Sequence, residues 1–326
     1  MVSPWCYFIL SVALLIGLLR KCREHSWGRC KSTSNLQGRV FLVTGANSGI
    51  GKETTKELAK RKATVIMACR NVQNAKNAIA EIRYKISTGE LIPMELDLAS
   101  FSSIRDFANE VVKKFPQIHV LINNAGVYAP LKDHALTKDG FEIHFGVNHL
   151  GHFLLTNLLL DCLKESAPSR IVVVTSKLME SGVIDFSNLN GEKALPVKSR
   201  MNPGYCNSKL ANAYFATELA NRTKNTGVNV YMVCPGFTYT GLFRNVKRSW
   251  FHYIIFSPIA LMFLRTPNQG AQTVLHCATE SSLSEESGHM YRDCNLYISK
   301  KNLESEVALR LWEVSMKLTG IKEVTK

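Results

Sequence analysis

Val40-Phe41-Leu42-Val43-Thr44-Gly45-Ala46-Asn47-Ser48-Gly49-Ile50-Gly51-Lys52 decides how this chain folds. A short apolar run ends in a turn holding three glycines, and a segment with helical spacing follows. The pattern is T-G-x-x-x-G-x-G rather than G-x-G-x-x-G, but the physical logic is shared. Glycines let the backbone come close to a pyrophosphate, and the next helix offers free N–H groups at its N-terminus. Gly45, Asn47, Ser48, Gly49, Ile50 and Gly51 are therefore candidate dinucleotide contacts.

Outward from this turn, strand-like and helix-like segments alternate. Strands are expected at Val40 to Thr44, Thr64 to Cys69, Ile92 to Leu96, Val120 to Asn123, Ile171 to Thr175 and Asn229 to Val233. Helices are expected at Ile50 to Arg61, Val72 to Ser87, Ser100 to Phe115, Asn148 to Lys164, from Tyr205 onward, and at Asn302 to Leu318. Such alternation marks an α/β chain with a Rossmann-type, doubly wound parallel sheet. The 326 residues give ample material for a single-domain core.

At the end of the second strand a site for NAD usually carries an Asp or Glu for the ribose hydroxyls. Here the run is Cys69-Arg70-Asn71. A guanidinium where a carboxylate is absent suits a 2′-phosphate and points to NADP(H), with an ordinary surface arginine as the alternative.

The chemistry centres on Gly204-Tyr205-Cys206-Asn207-Ser208-Lys209, which opens a helical run, and on Ser176 at the end of an apolar strand. Residues four apart share a helix face, so Tyr205 and Lys209 project together. Lowering a phenol from a pKa of about 10 to neutrality takes roughly 4 kcal/mol. One cation at about 4 Å with an effective dielectric near 20 supplies that much. Such a phenol passes protons to or from a carbonyl oxygen at cellular pH. Y-x-x-x-K alone is weak, since ten tyrosines give roughly one match by chance. Tyr128 to Lys132 is a second match, but Pro130 inside it opposes a helical turn.

Forty basic against 26 acidic side chains give a net charge of +14. The charges are scattered and no basic-aromatic module is present, which argues against nucleic acid and for a solvated basic surface. The nine cysteines include no C-x-x-C pair, so a metal site or disulfide framework is not expected and a reducing compartment is. Cys22 and Cys30 read as free thiols rather than acylated ones.

Residues 1–19 carry no charged side chain, and Trp5 to Leu19 is unbroken by strongly polar residues. Nineteen helical residues reach about 28 Å against a hydrocarbon core near 30 Å. No basic n-region precedes the run and no small-x-small cleavage site follows it, so an uncleaved membrane anchor is expected rather than a signal peptide. Arg20, Lys21, Arg23, Arg29 and Lys31 flank its C-terminal side and place the body in the cytosol. The expected organisation is an anchor over 1–19, a basic juxtamembrane linker over 20–37, a catalytic domain over 38–321 and a tail over 322–326.

Taken together, Thr44-Gly45…Gly49-Ile50-Gly51, Asp97-Leu98, Asn123-Asn124-Ala125-Gly126, Asn148, Ser176, Tyr205…Lys209 and Cys234-Pro235-Gly236 resemble the short-chain dehydrogenases/reductases in order and setting. Gly146 to Phe153, Lys164 to Arg170 and Gln269 to Thr273 are similar, more narrowly, to the microsomal, NADP-preferring retinol dehydrogenases that reduce retinal. The resemblance implies Tyr205 as general acid or base, Lys209 lowering its pKa and holding the nicotinamide ribose, and Ser176 bonding the substrate oxygen. It implies that Asn148 supports a proton-relaying water. Asp97 and Leu98 are implied near the adenine, Asn124, Ala125 and Gly126 near its ribose, and Pro235, Gly236 and Thr240 near the carboxamide. Each has a structural alternative: Ser176 as a strand-end cap, Asn148 as an amide bonded to backbone, Asp97 as a helix cap.

Thr175 stands where relatives often have Ser, and the segment Glu180 to Pro203 is longer than in close relatives. Ser249 to Leu264, apolar and broken by Pro258, reads as a lid over the substrate site that dips into the bilayer, with a core helix of an ordinary domain as the alternative. The resemblance thus implies an NADP(H)-dependent oxidoreductase at the endoplasmic reticulum membrane, acting on a lipid-soluble carbonyl or alcohol, with a retinoid favoured. Sterol or steroid ketones and lipid-derived aldehydes are the alternatives within the enzyme class. A non-catalytic NADP-binding scaffold is the alternative outside it.

Overall fold

The computed structural model describes residues 3–130, 135–193, 201–243, 260 and 262–322. Strands β1 (Val40–Thr44), β2 (Thr64–Cys69), β3 (Glu90–Glu95), β4 (Val120–Asn123), β5 (Ser169–Val174), β6 (Val228–Cys234), β7 (Met290–Arg292) and β8 (Asn295–Leu296) form one sheet. Its order is β3-β2-β1-β4-β5-β6-β7-β8. Every pair is parallel except β7 with β8.

Strand side chains alternate between two cores, as a period of two requires. On β1, Leu42 joins the core built with α4 (Phe101–Lys114), α5 (Gly151–Glu165), α6 (Pro203–Arg222) and α8 (Ser305–Thr319). Phe41 and Val43 join the opposite one, with α2 (Gly49–Lys60), α3 (Val72–Arg83) and α7 (Pro267–Thr279). Chain order reverses between β1 and β4, so the loops leaving their C-terminal ends diverge and leave a crevice.

Local chemistry fixes the helix ends. Asn71 caps α3, accepting from the Asn74 N–H at 2.9 Å, and Ser100 caps α4. α3 stops at Arg83, short of the expected Ser87, because the Arg83 guanidinium turns back to donate to the carbonyls of Ile86, Thr88 and Gly89. The helix expected from Asn148 begins instead as a wide, π-type turn over Phe145–Leu150. α7, β7 and β8 went unassigned in the sequence. α7 does carry a legible start, the Thr266–Gln269 capping box followed by Pro267.

The N-terminal helix α1 (Pro4–Ser26) is 23 residues long, or about 34 Å. It continues past the apolar run and through the basic flank. Trp5, Leu10 and Leu14 are more than half exposed, a surface that water does not favour and a bilayer would cover. The residues beyond it, expected as a linker, pack on the body: Trp27 and Leu36 are buried, and the Leu36 N–H donates to Arg61 O at 2.7 Å. The lid segment lies outside the described residues apart from 260 and 262–264.

Phe153 is fully buried, with its ring 4.9 Å from Trp312 and 5.4 Å from Phe215, and joins α5, α6 and α8. Phe153→Ala should lower the unfolding free energy by about 3–5 kcal/mol. Denaturant unfolding of the detergent-solubilised protein checks this, and a loss under about 1 kcal/mol would contradict the packing described.

Candidate active site

The crevice is a cleft of about 630 Å³ above the C-terminal ends of the strands. Gly45, Asn47, Ser48, Gly49, Ile50, Arg70, Asn71, Asp97, Leu98, Asn124, Ala125, Gly126, Ser176, Tyr205, Lys209, Pro235, Gly236 and Thr240 all line it. Two expected residues do not. Gly51 lies beneath the turn, where a Cβ would fall 2.4 Å from Gly45 O, so it serves the close packing of helix on strand. Asn148 is fully buried behind the wall.

The glycine turn suits a dinucleotide. Gly45 and Gly49 have φ of +66° and +55°, values that non-glycine residues rarely adopt. Ser48, the N-cap of α2, makes no side-chain cap bond, and the helix start borders the cleft, as a phosphate site requires. Thr44 ties β1 to β4: its Oγ1 accepts from the N–H groups of Asn124 and Ala125, each at 2.9 Å. Asn124 Nδ2 donates back to Thr44 O at 2.8 Å. Asn124 thus shapes the wall through its side chain. Asp97 lines the cleft and also accepts from the Ala99 N–H at 3.1 Å, a turn bond ahead of the helix; the cap of α4 is Ser100, so Asp97 is not the helix cap its alternative supposed.

At the other end, α6 delivers Tyr205 and Lys209. Asn202 caps this helix, accepting from the Gly204 N–H at 2.8 Å, and Pro203 occupies its first turn. Lys209, only 3 % exposed, donates from Nζ to Val174 O at 3.0 Å and lies 5.8 Å from the centre of the Tyr205 ring. Thr175 Oγ1 donates to Lys209 O at 2.8 Å and pins the end of β5 to α6. Asn148 receives the Val127 N–H on Oδ1 at 2.8 Å and donates from Nδ2 to Ser208 Oγ at 3.0 Å. Ser208 Oγ donates in turn to Tyr205 O at 2.8 Å. Asn148 therefore matches its backbone-bonding alternative and acts on α6 through Ser208.

The expected depression of the Tyr205 pKa is not what this environment produces. Burial, the largest cause, and then the neighbouring thiols of Cys206 and Cys234 raise it, while the Ser176 hydroxyl acts weakly in the opposite direction. The reason is geometric: the Lys209 ammonium is bonded to Val174 O and lies over the ring, 5.8 Å from its centre, while the phenol has lost its water. Burial lowers Lys209 itself to about 8.

Sequence reasoning missed the support behind Tyr205. His144 Nε2 accepts from the Ala129 N–H at 2.9 Å, so Nδ1 carries the hydrogen shared with Glu142 Oε1 at 2.5 Å. The Tyr128 ring, half of the second Y-x-x-x-K match, stands edge-on to Tyr205 at 5.4 Å, while Lys132 lies outside the described residues. His152 reaches both Thr44 Oγ1 at 2.9 Å and Asn148 O at 3.0 Å, linking the glycine turn to the catalytic end. Burial lowers the His152 pKa to about 4, so it is neutral.

A doubly wound sheet with a glycine turn at its switch point and a Tyr–Lys pair in the same cleft defines a dinucleotide-binding oxidoreductase. The chain belongs to the short-chain dehydrogenase family, whose model matches residues 39–195 and 180–249. It is 47% identical to "Retinol dehydrogenase 11" of Homo sapiens over 98% of this chain and 97% of that protein. It is 44% identical to "Retinol dehydrogenase 12" of Homo sapiens, covering 90% of each. Among solved structures, an uncharacterized protein from Mycobacterium paratuberculosis aligns with a TM-score of 0.68 and 32% identity, over 88% of this chain and 95% of that one. The protein is an oxidoreductase that uses a nicotinamide dinucleotide.

Lys209 keeps its proton to about 10.5 when solvated and releases it near 8 when buried. Below pH 8 the full penalty of burying the ammonium, about 3 kcal/mol, opposes folding, and it fades as pH rises toward 10.5. Lys209→Met should therefore be most favourable relative to the parent at pH 7 and lose that advantage by pH 10. Paired unfolding curves at the two pH values measure this, and a stability difference independent of pH would contradict it.

Proposed function

We propose that the protein is a membrane-anchored, NADP(H)-dependent reductase of a long apolar aldehyde, with retinal the favoured substrate and retinol its product. The observation that carries this is the meeting of Ser176, Tyr205 and Lys209 in one cleft with the glycine turn and Arg70. The names of the relatives at 47% and 44% identity favour a retinoid over a sterol ketone or a short lipid-derived aldehyde. Arg70, with no carboxylate beside it at the β2 end of the cleft lining, supports a 2′-phosphate and hence NADP(H). The apolar residues Val127, Ile143, Val147, Leu178, Phe237, Leu242 and Leu264 of the lining suit an apolar chain.

When bound, the reduced dinucleotide supplies the hydride that adds to the carbonyl carbon. Tyr205 gives its proton to the carbonyl oxygen, and Ser176 donates a hydrogen bond to the same oxygen. A phenol whose pKa is raised by burial holds its proton until an alkoxide needs it, which suits the reducing direction. The Lys209 ammonium then balances the phenolate left behind and would hold the nicotinamide ribose, while Asn148 holds α6 in place through Ser208. The apolar segment 1–19 anchors the protein in the endoplasmic reticulum membrane. The basic residues from Arg20 to Lys31 keep the catalytic body, 38–321, in the cytosol.

Tyr205→Phe should abolish turnover of retinal while leaving the NADPH dissociation constant within a few-fold of the parent. Normal turnover by that variant would defeat the assignment. Arg70→Ala should raise the KM for NADPH about 10–100-fold, the worth of a charge-assisted bond or pair of bonds, and leave that for NADH nearly unchanged. Steady-state assays with each dinucleotide decide this, and equal losses with both would remove the 2′-phosphate role.

A further inference from the structure

The last turns of α1 and the residues that follow it pack against elements bordering the cleft. Arg20 Nη1 donates to Leu264 O at 3.2 Å, and Gln269 Nε2 donates to Glu24 Oε1 at 3.1 Å. Gly28 lies against the turn before β8, where a Cβ would fall 1.7 Å from Asp293 O, so only glycine fits. The Cys30 N–H donates to Gln272 Oε1 at 3.2 Å. At the centre of these contacts Trp27, 7 % exposed, covers the guanidinium of Arg265, whose Cζ is 4.9 Å from the ring centre.

Arg265 in turn holds the loop that follows β6. Its Nη1 donates to Pro235 O at 3.3 Å, its backbone N–H donates to Phe237 O at 2.8 Å, and its carbonyl accepts from the Tyr239 N–H at 2.8 Å. The guanidinium also fills the space beside Gly236, whose φ of +79° already excludes other residues; a Cβ there would be 2.7 Å from Cζ. Arg265 is 4 % exposed, and its buried charge is balanced by Asp293 Oδ1 at 2.5 Å and by the tryptophan face. The loop lines the cleft with Pro235, Gly236, Phe237 and Thr238, and it leaves the sheet at Cys234, whose thiol acts electrostatically on Tyr205. It is therefore at the reacting end, away from Arg70.

We propose that Trp27, in the root of the anchor, is a positioning residue for the nicotinamide half of the dinucleotide, acting through Arg265 and the 235–239 loop. This rests on the cleft holding NADP(H), as proposed above. A buried guanidinium that loses its aromatic cover is reached by water and no longer holds Pro235 O or fills the space beside Gly236, which loosens the loop at its start. The catalytic unit thus begins at the root of the anchor rather than at β1.

The test uses the full chain in detergent, with Trp27→Ala and Trp27→Phe compared by calorimetric titration of NADPH and of 2′,5′-ADP, a fragment lacking nicotinamide. Trp27→Ala should weaken NADPH at least ten-fold and leave 2′,5′-ADP within two-fold, while Trp27→Phe keeps both within about three-fold of the parent. Unchanged NADPH affinity in Trp27→Ala, or equal weakening of both ligands, would overturn the proposal. Should Trp27→Ala fail to fold, Arg265→Lys, which keeps a charge for Asp293 but not the flat contact with the ring, must show the same split or the proposal falls. A parent protein that binds no NADPH would instead remove the functional reading beneath it.

Discussion

The hydrogen bond from the Lys209 ammonium to Val174 O, made inside the protein at 3.0 Å, is the constraint on which the site depends. A charge with 3 % exposure persists only where its partners are fixed. Here the partners are the end of β5, with Thr175 bonding back to Lys209 O, so α6 is held against the sheet at one height and one rotation. That rotation puts Tyr205 in the cleft lining beside Ser176. The same burial that makes the lysine expensive also strips water from the phenol and keeps it protonated.

Around this join, buried polar side chains act as struts. Thr44 clamps the diverging ends of β1 and β4, His152 connects that clamp to Asn148, and Asn148 reaches α6 through Ser208. The glycine turn and the Tyr–Lys pair are far apart in sequence, yet a continuous chain of hydrogen bonds joins them. The Glu142–His144 pair supports the first turn of α6 from the other side, with so little room that a Cβ on Gly204 would lie 3.1 Å from His144 Nδ1.

Much of this was legible in the sequence because it is local. The first strand, Val40–Thr44, and the strands Thr64–Cys69 and Val120–Asn123 fall where the apolar runs put them, and the glycine turn declares itself by its neighbours. Most of the residues expected at the cofactor site follow the C-terminal end of a strand, and parallel sheets gather such positions at one edge; Tyr205 and Lys209 reach the same cleft from α6. What could not be read depends on distant contacts. β7 and β8 hold three and two residues, too few for alternation to show. Nothing in Trp27 or Arg265 announces that two side chains 238 positions apart make one contact. The Tyr205 pKa failed for the same reason, since helix spacing places Lys209 on the right face but says nothing of the carbonyl that claims its ammonium or of the water excluded from the phenol.

Transfer of label from the 4-position of the dinucleotide tests the central claim most directly. Retinal would be incubated with the solubilised protein and NADPH carrying deuterium on the transferred position, and the retinol analysed by mass and by proton resonance. The account predicts one deuterium on the carbinol carbon and none at the hydroxyl, whose hydrogen comes through Tyr205 and exchanges with water. Retinol formed without label at that carbon, or no retinol while the labelled dinucleotide is bound, would contradict it.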